Sequence, residues 1–170
     1  GKSSVYDGGT RVPLAIIWPG HTKPGSRTDA LFNLVDSYPT LLEMVGLSSK
    51  RDQILDGVSQ TPVLLGKPGR RDTNFCFVPY PGRDNAGPGA WVRKGDWKLI
   101  RFFCGNPDQS DRYELYNLKD DVGETRDLAP DRPRLVAELD ALLRRHLEDT
   151  HAVLPVKNPQ YDPQAKQPER

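Results

Sequence analysis

The sequence predicts an α/β chain, or α+β when taken as a fragment: one buried strand and one helix, then a small four-stranded antiparallel sheet packed by a C-terminal helix. Three observations lead there. Leu14-Ala15-Ile16-Ile17-Trp18 is a continuous apolar run, the pattern of a strand covered on both faces. Leu34, Val35, Tyr38, Leu41, Leu42, Val45 and Leu47 recur at helical spacing, as do Leu135, Leu139, Leu142, Leu143 and Leu147. Between the two helical stretches, short aromatic and β-branched segments are separated by turn residues, as in an antiparallel sheet.

The chain opens on Gly1-Lys2-Ser3-Ser4-Val5-Tyr6-Asp7-Gly8-Gly9-Thr10-Arg11-Val12-Pro13. A lysine, two hydroxyls, a glycine pair and an arginine precede the apolar run. Glycines let backbone approach a ligand closely and a lysine offers an anion a point charge, so the stretch reads as an anion-binding turn feeding the strand. The competing reading is a plain Gly-Gly turn with a solvated lysine.

The strand ends at Pro19-Gly20, and the polar segment from His21 to Asp29 reads as a surface loop. In the helix that follows, Asp36 or Ser37 is placed to cap the N-terminus, Pro39 falls in the first turn, and Gly46 ends the helix. Asp56-Gly57-Val58-Ser59 and Leu64-Leu65-Gly66 form a loop. The basic, Gly- and Pro-containing stretch from Gly66 to Arg71 marks a boundary. The expected division is 1–66, 67–152 and a tail, 153–170.

The predicted strands are Asn74 to Val78, Ala90 to Arg93, Trp97 to Phe102 and Arg112 to Tyr116, with Lys94-Gly95-Asp96 a tight hairpin turn. Asp120, Asp121, Glu124 and Asp127 surround a turn, where acidic side chains accept backbone N–H bonds more readily than they build a metal site. An amphipathic helix runs from about Arg132 to Asp149, with Arg144, Arg145 and His146 near its negative end. The prolines and polar residues beyond Val153 give an extended or disordered tail.

Composition narrows the function. Lysine plus arginine, 24, nearly cancels aspartate plus glutamate, 23, for a net charge of +1. Neither nucleic acid nor an anionic membrane is expected as a partner. No apolar run approaches the roughly 20 residues of a membrane span. Cys76 and Cys104 are the two cysteines, enough for one disulfide and without a second pair at metal-ligand spacing.

Four phrases resemble the sulfatases, members of the alkaline phosphatase superfamily, and together they span nearly the whole chain. Gly1 to Pro13 is similar to Gly-Lys-x-x-x-Tyr-Glu-Gly-Gly-x-Arg-Val-Pro, with Asp7 one methylene shorter than the usual glutamate. Val35 to Gly46 resembles Val-Asp-x-x-Pro-Thr-Leu-Leu-x-x-x-Gly. Asp56 to Gly66 follows Asp-Gly-x-Ser-Leu-x-Pro-Leu-Leu-x-Gly, departing at Gln60 and Val63. Glu114 to Ala129 follows Glu-Leu-Tyr-Asp-Leu-x-x-Asp-Pro-x-Glu-x-x-Asn-Leu-Ala, departing at Asn117, Val122 and Asp127.

The resemblance implies the C-terminal part of an arylsulfatase-like sulfuric ester hydrolase: the last strand and helix of an alkaline-phosphatase-like sheet, then a small subdomain. Such enzymes cleave sulfate monoesters with a formylglycine, made within a Cys/Ser-x-Pro-x-Arg motif, and a calcium ion. Both lie upstream of the matching segment, so no metal ligand and no bound cofactor is expected here. Cys76-Phe77-Val78-Pro79 and Cys104-Gly105-Asn106-Pro107 have proline too late and no arginine. Asp84-Asn85 imitates a metal-binding pair but follows the Gly-Lys phrase instead of preceding it.

Lys2 aligns with the lysine that binds the sulfate group. Arg83, in the polar loop from Tyr80 to Gly89, is a candidate contact to a sulfated sugar or other leaving group, against the alternative of a loop without function. The implied partners are a sulfated small molecule or carbohydrate and the N-terminal part of the same enzyme. The implied location is periplasmic, secreted or lysosomal. Two alternatives stay open: a phosphate or phosphonate ester hydrolase of the same superfamily, and a free-standing carbohydrate-binding or interaction module.

Overall fold

The computed structural model describes residues 4–79 and 87–162. They form two compact units, one of the residues from Pro13 to Asn74 and one joining the residues up to Val12 with those from Phe75 onward. Val5, 2% exposed, belongs to the core of the second unit.

That second unit is a sheet in the order β1-β2-β3-β4, from β1 (Thr73–Val78), β2 (Gly89–Lys94), β3 (Trp97–Phe102) and β4 (Arg112–Asn117). β2, β3 and β4 pair antiparallel, with Trp91 opposite Ile100 and Leu99 opposite Leu115. Lys94 pairs with Trp97, so Gly95 and Asp96 make a two-residue hairpin loop. Gly95 takes φ 58° there, a left-handed conformation that glycine adopts without steric cost.

Because strand side chains alternate between faces, the sheet has two cores. Ala90, Val92, Leu99 and Leu115 meet Leu139, Leu143 and Leu147 of the helix Pro133–Asp149. Pro133 opens this helix in its first turn, where a missing N–H costs nothing. His146 stacks on Phe75 with ring centroids 4.1 Å apart, consistent with a packing role. On the opposite face, Trp91, Ile100, Phe102 and Tyr116 pack with Val5 and Leu118. The N-terminal segment thus covers one face of the sheet while the helix covers the other.

In the unit from Pro13 to Asn74, the run from Leu14 to Trp18 is not a strand. A buried strand requires hydrogen-bonded neighbours on both sides. Among the described residues the Trp18 N–H and C=O bond instead to the hydroxyl of Thr22 and the amides of His21 and Thr22. Leu14 and Ile17 are 57% and 87% exposed.

The predicted helix forms as a 3-10 turn, Leu34–Asp36, running into an α-helix, Ser37–Met44. Neither Asp36 nor Ser37 caps the α-helix with its side chain. Asn33 Oδ1 caps the 3-10 turn by accepting from Val35 N, and Asp36 Oδ2 accepts from Asn33 N in a capping box. Gly46 ends the helix at φ 72°. Thr61–Leu64 adds one further helical turn. Cys76 and Cys104 are both free thiols, so the possible disulfide is absent.

Candidate functional site

Lys2 and Arg83 both lie outside the described residues. The described part of the opening phrase begins at Ser4, and its anchorage is the main polar construction of the sheet unit. Tyr6 and Asp7 are adjacent in sequence but are held by two separate clusters.

The Tyr6 hydroxyl donates to Oε2 of Glu114 at 2.7 Å, and the Tyr116 hydroxyl donates to the same oxygen at 2.8 Å. Arg112 pairs with the other oxygen, Oε1, of Glu114. The Arg112 guanidinium also lies 4.0 Å from the Phe102 ring centroid, a cation–π placement. Burial first and the Glu114 carboxylate second push both phenols well above the usual tyrosine range.

The second cluster is centred on Lys98 of β3. Its side chain is completely buried, and Nζ lies 2.7 Å from Asp7 Oδ1 and 2.7 Å from Glu124 Oε1. The other Glu124 oxygen, Oε2, accepts the backbone N–H of Asp7 at 2.5 Å. The Trp91 ring centroid is 5.0 Å from Nζ. Beyond Asp7, Gly8 and Gly9 complete a single helical turn, Asp7–Thr10, and Arg11 lies 3.7 Å from Asp7 Oδ2.

The acidic turn that supplies Glu124 is built as the sequence predicts. Asp121 accepts from Thr125 N and Arg126 N, and Asp127 accepts from Leu115 N and Ala129 N. Glu124 departs from this pattern, because its carboxylate is spent on Lys98 and the remote Asp7. The role of Glu114 is likewise unmarked by its neighbourhood. Lys98 carries no sequence signal at all: in a strand of alternating faces it reads as any hairpin lysine.

Among the described residues no group of three or more His, Cys, Asp or Glu converges in a way that could hold a metal ion. Cys76 is half-buried on β1 and burial pushes its thiol up, the opposite of an activated nucleophile. A cleft of about 410 Å³ lined by Tyr113, Asp127, Asp140 and Arg144 offers carboxylates that already have partners: Asp140 pairs with Arg101 and Arg144.

A family model described as N-sulphoglucosamine sulphohydrolase, C-terminal, matches residues 1–152. A sulfatase of Formosa agariphila is 36% identical over 78% of the chain, and an N-acetylgalactosamine-6-O-sulfatase of Bacteroides thetaiotaomicron is 29% identical over 84%. A structure solved with its substrate D-glucosamine-2-N,6-O-disulfate superimposes on 79% of the chain with a TM-score of 0.63 and 26% identity. The chain spans only 25%, 28% and 27% of the lengths of these three proteins.

Proposed function

The chain belongs to the sulfatase family, and from that membership we propose that it is the C-terminal part of a sulfuric ester hydrolase acting on sulfate monoesters. The observation that carries the reading is the match over residues 1–152. The anchorage of Tyr6 and Asp7, the aromatic and acidic positions of the opening phrase, on the antiparallel sheet supports it.

In this reading Lys2 binds the sulfate group. Transfer of a sulfuryl group builds charge on its oxygens, and a fixed cation lowers the cost of that charge; removing one such contact slows catalysis roughly 10²–10³-fold. A formylglycine nucleophile and a calcium ion, where the enzyme carries them, belong to residues preceding Gly1. Arg83 is assigned a contact to the leaving group on sequence grounds. The sulfated carbohydrates named for two of the relatives favour a sulfated sugar as substrate. Periplasm, secretion or lysosome is the proposed location.

The remaining α/β domain of the same enzyme is the proposed partner of the unit from Pro13 to Asn74. Ile17, Leu34, Leu41, Val45, Leu47 and Ile54 are each more than half exposed, and apolar side chains of this size are the kind that a partner domain covers.

The test is turnover by the intact protein of 4-nitrophenyl sulfate and of 6-O-sulfated hexosamines, beside 4-nitrophenyl phosphate and phenylphosphonate. Sulfate release is expected. Hydrolysis of the phosphate or phosphonate alone would replace the sulfatase reading. The 170-residue chain by itself is expected to be inactive, and measurable sulfate release from it would contradict the proposal.

A further inference from the structure

Lys98 is among the largest fully buried side chains of the described residues. An ammonium is a poor choice for a core position on stability grounds, because a buried ion pair is often matched or exceeded by apolar residues of similar volume. What the pair does supply is direction, since its bonds form only in one arrangement.

The arrangement is closed. Lys98 Nζ bonds Asp7 Oδ1, Glu124 Oε1 bonds the same Nζ, and Glu124 Oε2 accepts the Asp7 amide. Asp7 is therefore held at both its side chain and its backbone. Lys98 sits on β3, paired on one side with Arg93 of β2 and on the other with Tyr116 of β4, so the base of the clamp is the middle of the sheet. Glu124 is kept at φ 54°, a left-handed conformation disfavoured for a side chain of its kind. Such strain persists where the surroundings over-determine it and is common at functional sites. Here Asp121 staples the turn through the amides of Thr125 and Arg126.

We infer that Lys98 is a positioning residue for the sulfate-binding lysine: with Glu124 it clamps Asp7, five positions after Lys2, and acts on turnover through Lys2. The inference rests on the reading that Lys2 binds sulfate. Its physical basis is that a reacting group misplaced by about 1 Å can cost on the order of 10²-fold in rate.

The test is a mutant cycle in the intact protein. The variants are Lys2→Met, Lys98→Met, the two together, and a neutralised triple, Lys98→Met/Asp7→Asn/Glu124→Gln, alone and with Lys2→Met. The readouts are kcat on 4-nitrophenyl sulfate, Kd for inorganic sulfate by calorimetry, and Tm. Lys98→Met is expected to lower kcat about 10²-fold and weaken sulfate binding, yet to add nothing on a Lys2→Met background. The triple variant is expected to recover Tm, because no buried charge is left unpaired, while kcat stays low. If Lys98→Met does not fold, the triple carries the comparison.

Losses that multiply between positions 2 and 98 would overturn the inference, as would a triple variant whose turnover returns with its Tm. Those outcomes leave the role of Lys2 intact. Unchanged turnover and sulfate binding in Lys2→Met would instead remove the sulfate-binding reading and the clamp together.

Discussion

The hydroxyl of Tyr6 donates to Glu114 Oε2 across 108 positions of the chain, at 2.7 Å. Tyr116 uses the same oxygen, so one carboxylate ties the N-terminal segment to β4. Tyr6→Phe deletes one hydrogen bond and leaves Glu114 with Tyr116 and Arg112. A loss of about 1.5 kcal/mol follows, measurable by urea unfolding of the intact protein. Glu114→Leu would cost more, because it strands Arg112 and two phenols at once.

The same cluster sets an alkaline limit. Burial, and then Glu114, raise the pKa values of Tyr6 and Tyr116 above the ordinary 10.0. A group whose folded pKa is raised contributes stability that is full below the unfolded value and is lost as pH climbs toward the folded one. Ultraviolet titration should therefore leave two phenols un-ionised at pH 10–11 until the sheet unit unfolds. Tyr6→Phe should remove part of that alkaline slope.

Asp36 sets the corresponding acid limit in the unit from Pro13 to Asn74. Its carboxylate is fully buried, accepts Asn33 N and Val58 N, and meets Arg71 through both oxygens at 2.7 and 2.5 Å. Burial alone would raise its pKa, but Arg71 and the two amides together hold it below 3.8. A depressed folded pKa contributes stability present above the unfolded value and lost as pH falls through the folded one. Asp36→Asn should cost about 3–5 kcal/mol at pH 7, by breaking a buried pair. That difference should shrink below pH 3.8 in pH-dependent melts.

Cys76 and Cys104 are both free, and no cross-link contributes to the fold. Reductant should leave Tm unchanged, and both thiols should react with a disulfide reagent after denaturation. A reductant-sensitive Tm would contradict this. The raised pKa of the half-buried Cys76 thiol further predicts that it reacts slowly in the native protein at pH 7.

What the sequence makes legible is local. The strand predicted at Trp97 to Phe102 is observed at those residues, and the helix predicted from Arg132 begins at Pro133; period-two and period-3.6 patterns, bounded by Gly and Pro, suffice for both. Pairing at a distance is not legible. Lys98 becomes a buried clamp only because Asp7, 91 positions away, lies over β3. Leu14 to Trp18 has the composition of a buried strand, but composition supplies no neighbouring strand to bond with. Asp36 reads as a helix cap because that role is local, whereas Arg71 is 35 positions distant.

Gly57 shows how a residue read as part of a loop can be fixed by contact. A Cβ there would stand 2.0 Å from the Val35 carbonyl oxygen and 2.5 Å from its carbon, both backbone atoms that cannot turn aside. Gly57→Ala must push the loop away from the 3-10 turn, and it disturbs the neighbouring bond from Val58 N to Asp36 Oδ1. Overpacking of this kind costs about 1–3 kcal/mol. The control is Gly123→Ala, where the new methyl would meet the side-chain atoms Thr125 Cγ2 at 3.4 Å and Asp121 Oδ1 at 3.9 Å, ordinary contacts expected to stay within about 0.5 kcal/mol. Equal unfolding midpoints for the two variants would show that the loop yields freely and that the close approach at Gly57 constrains nothing.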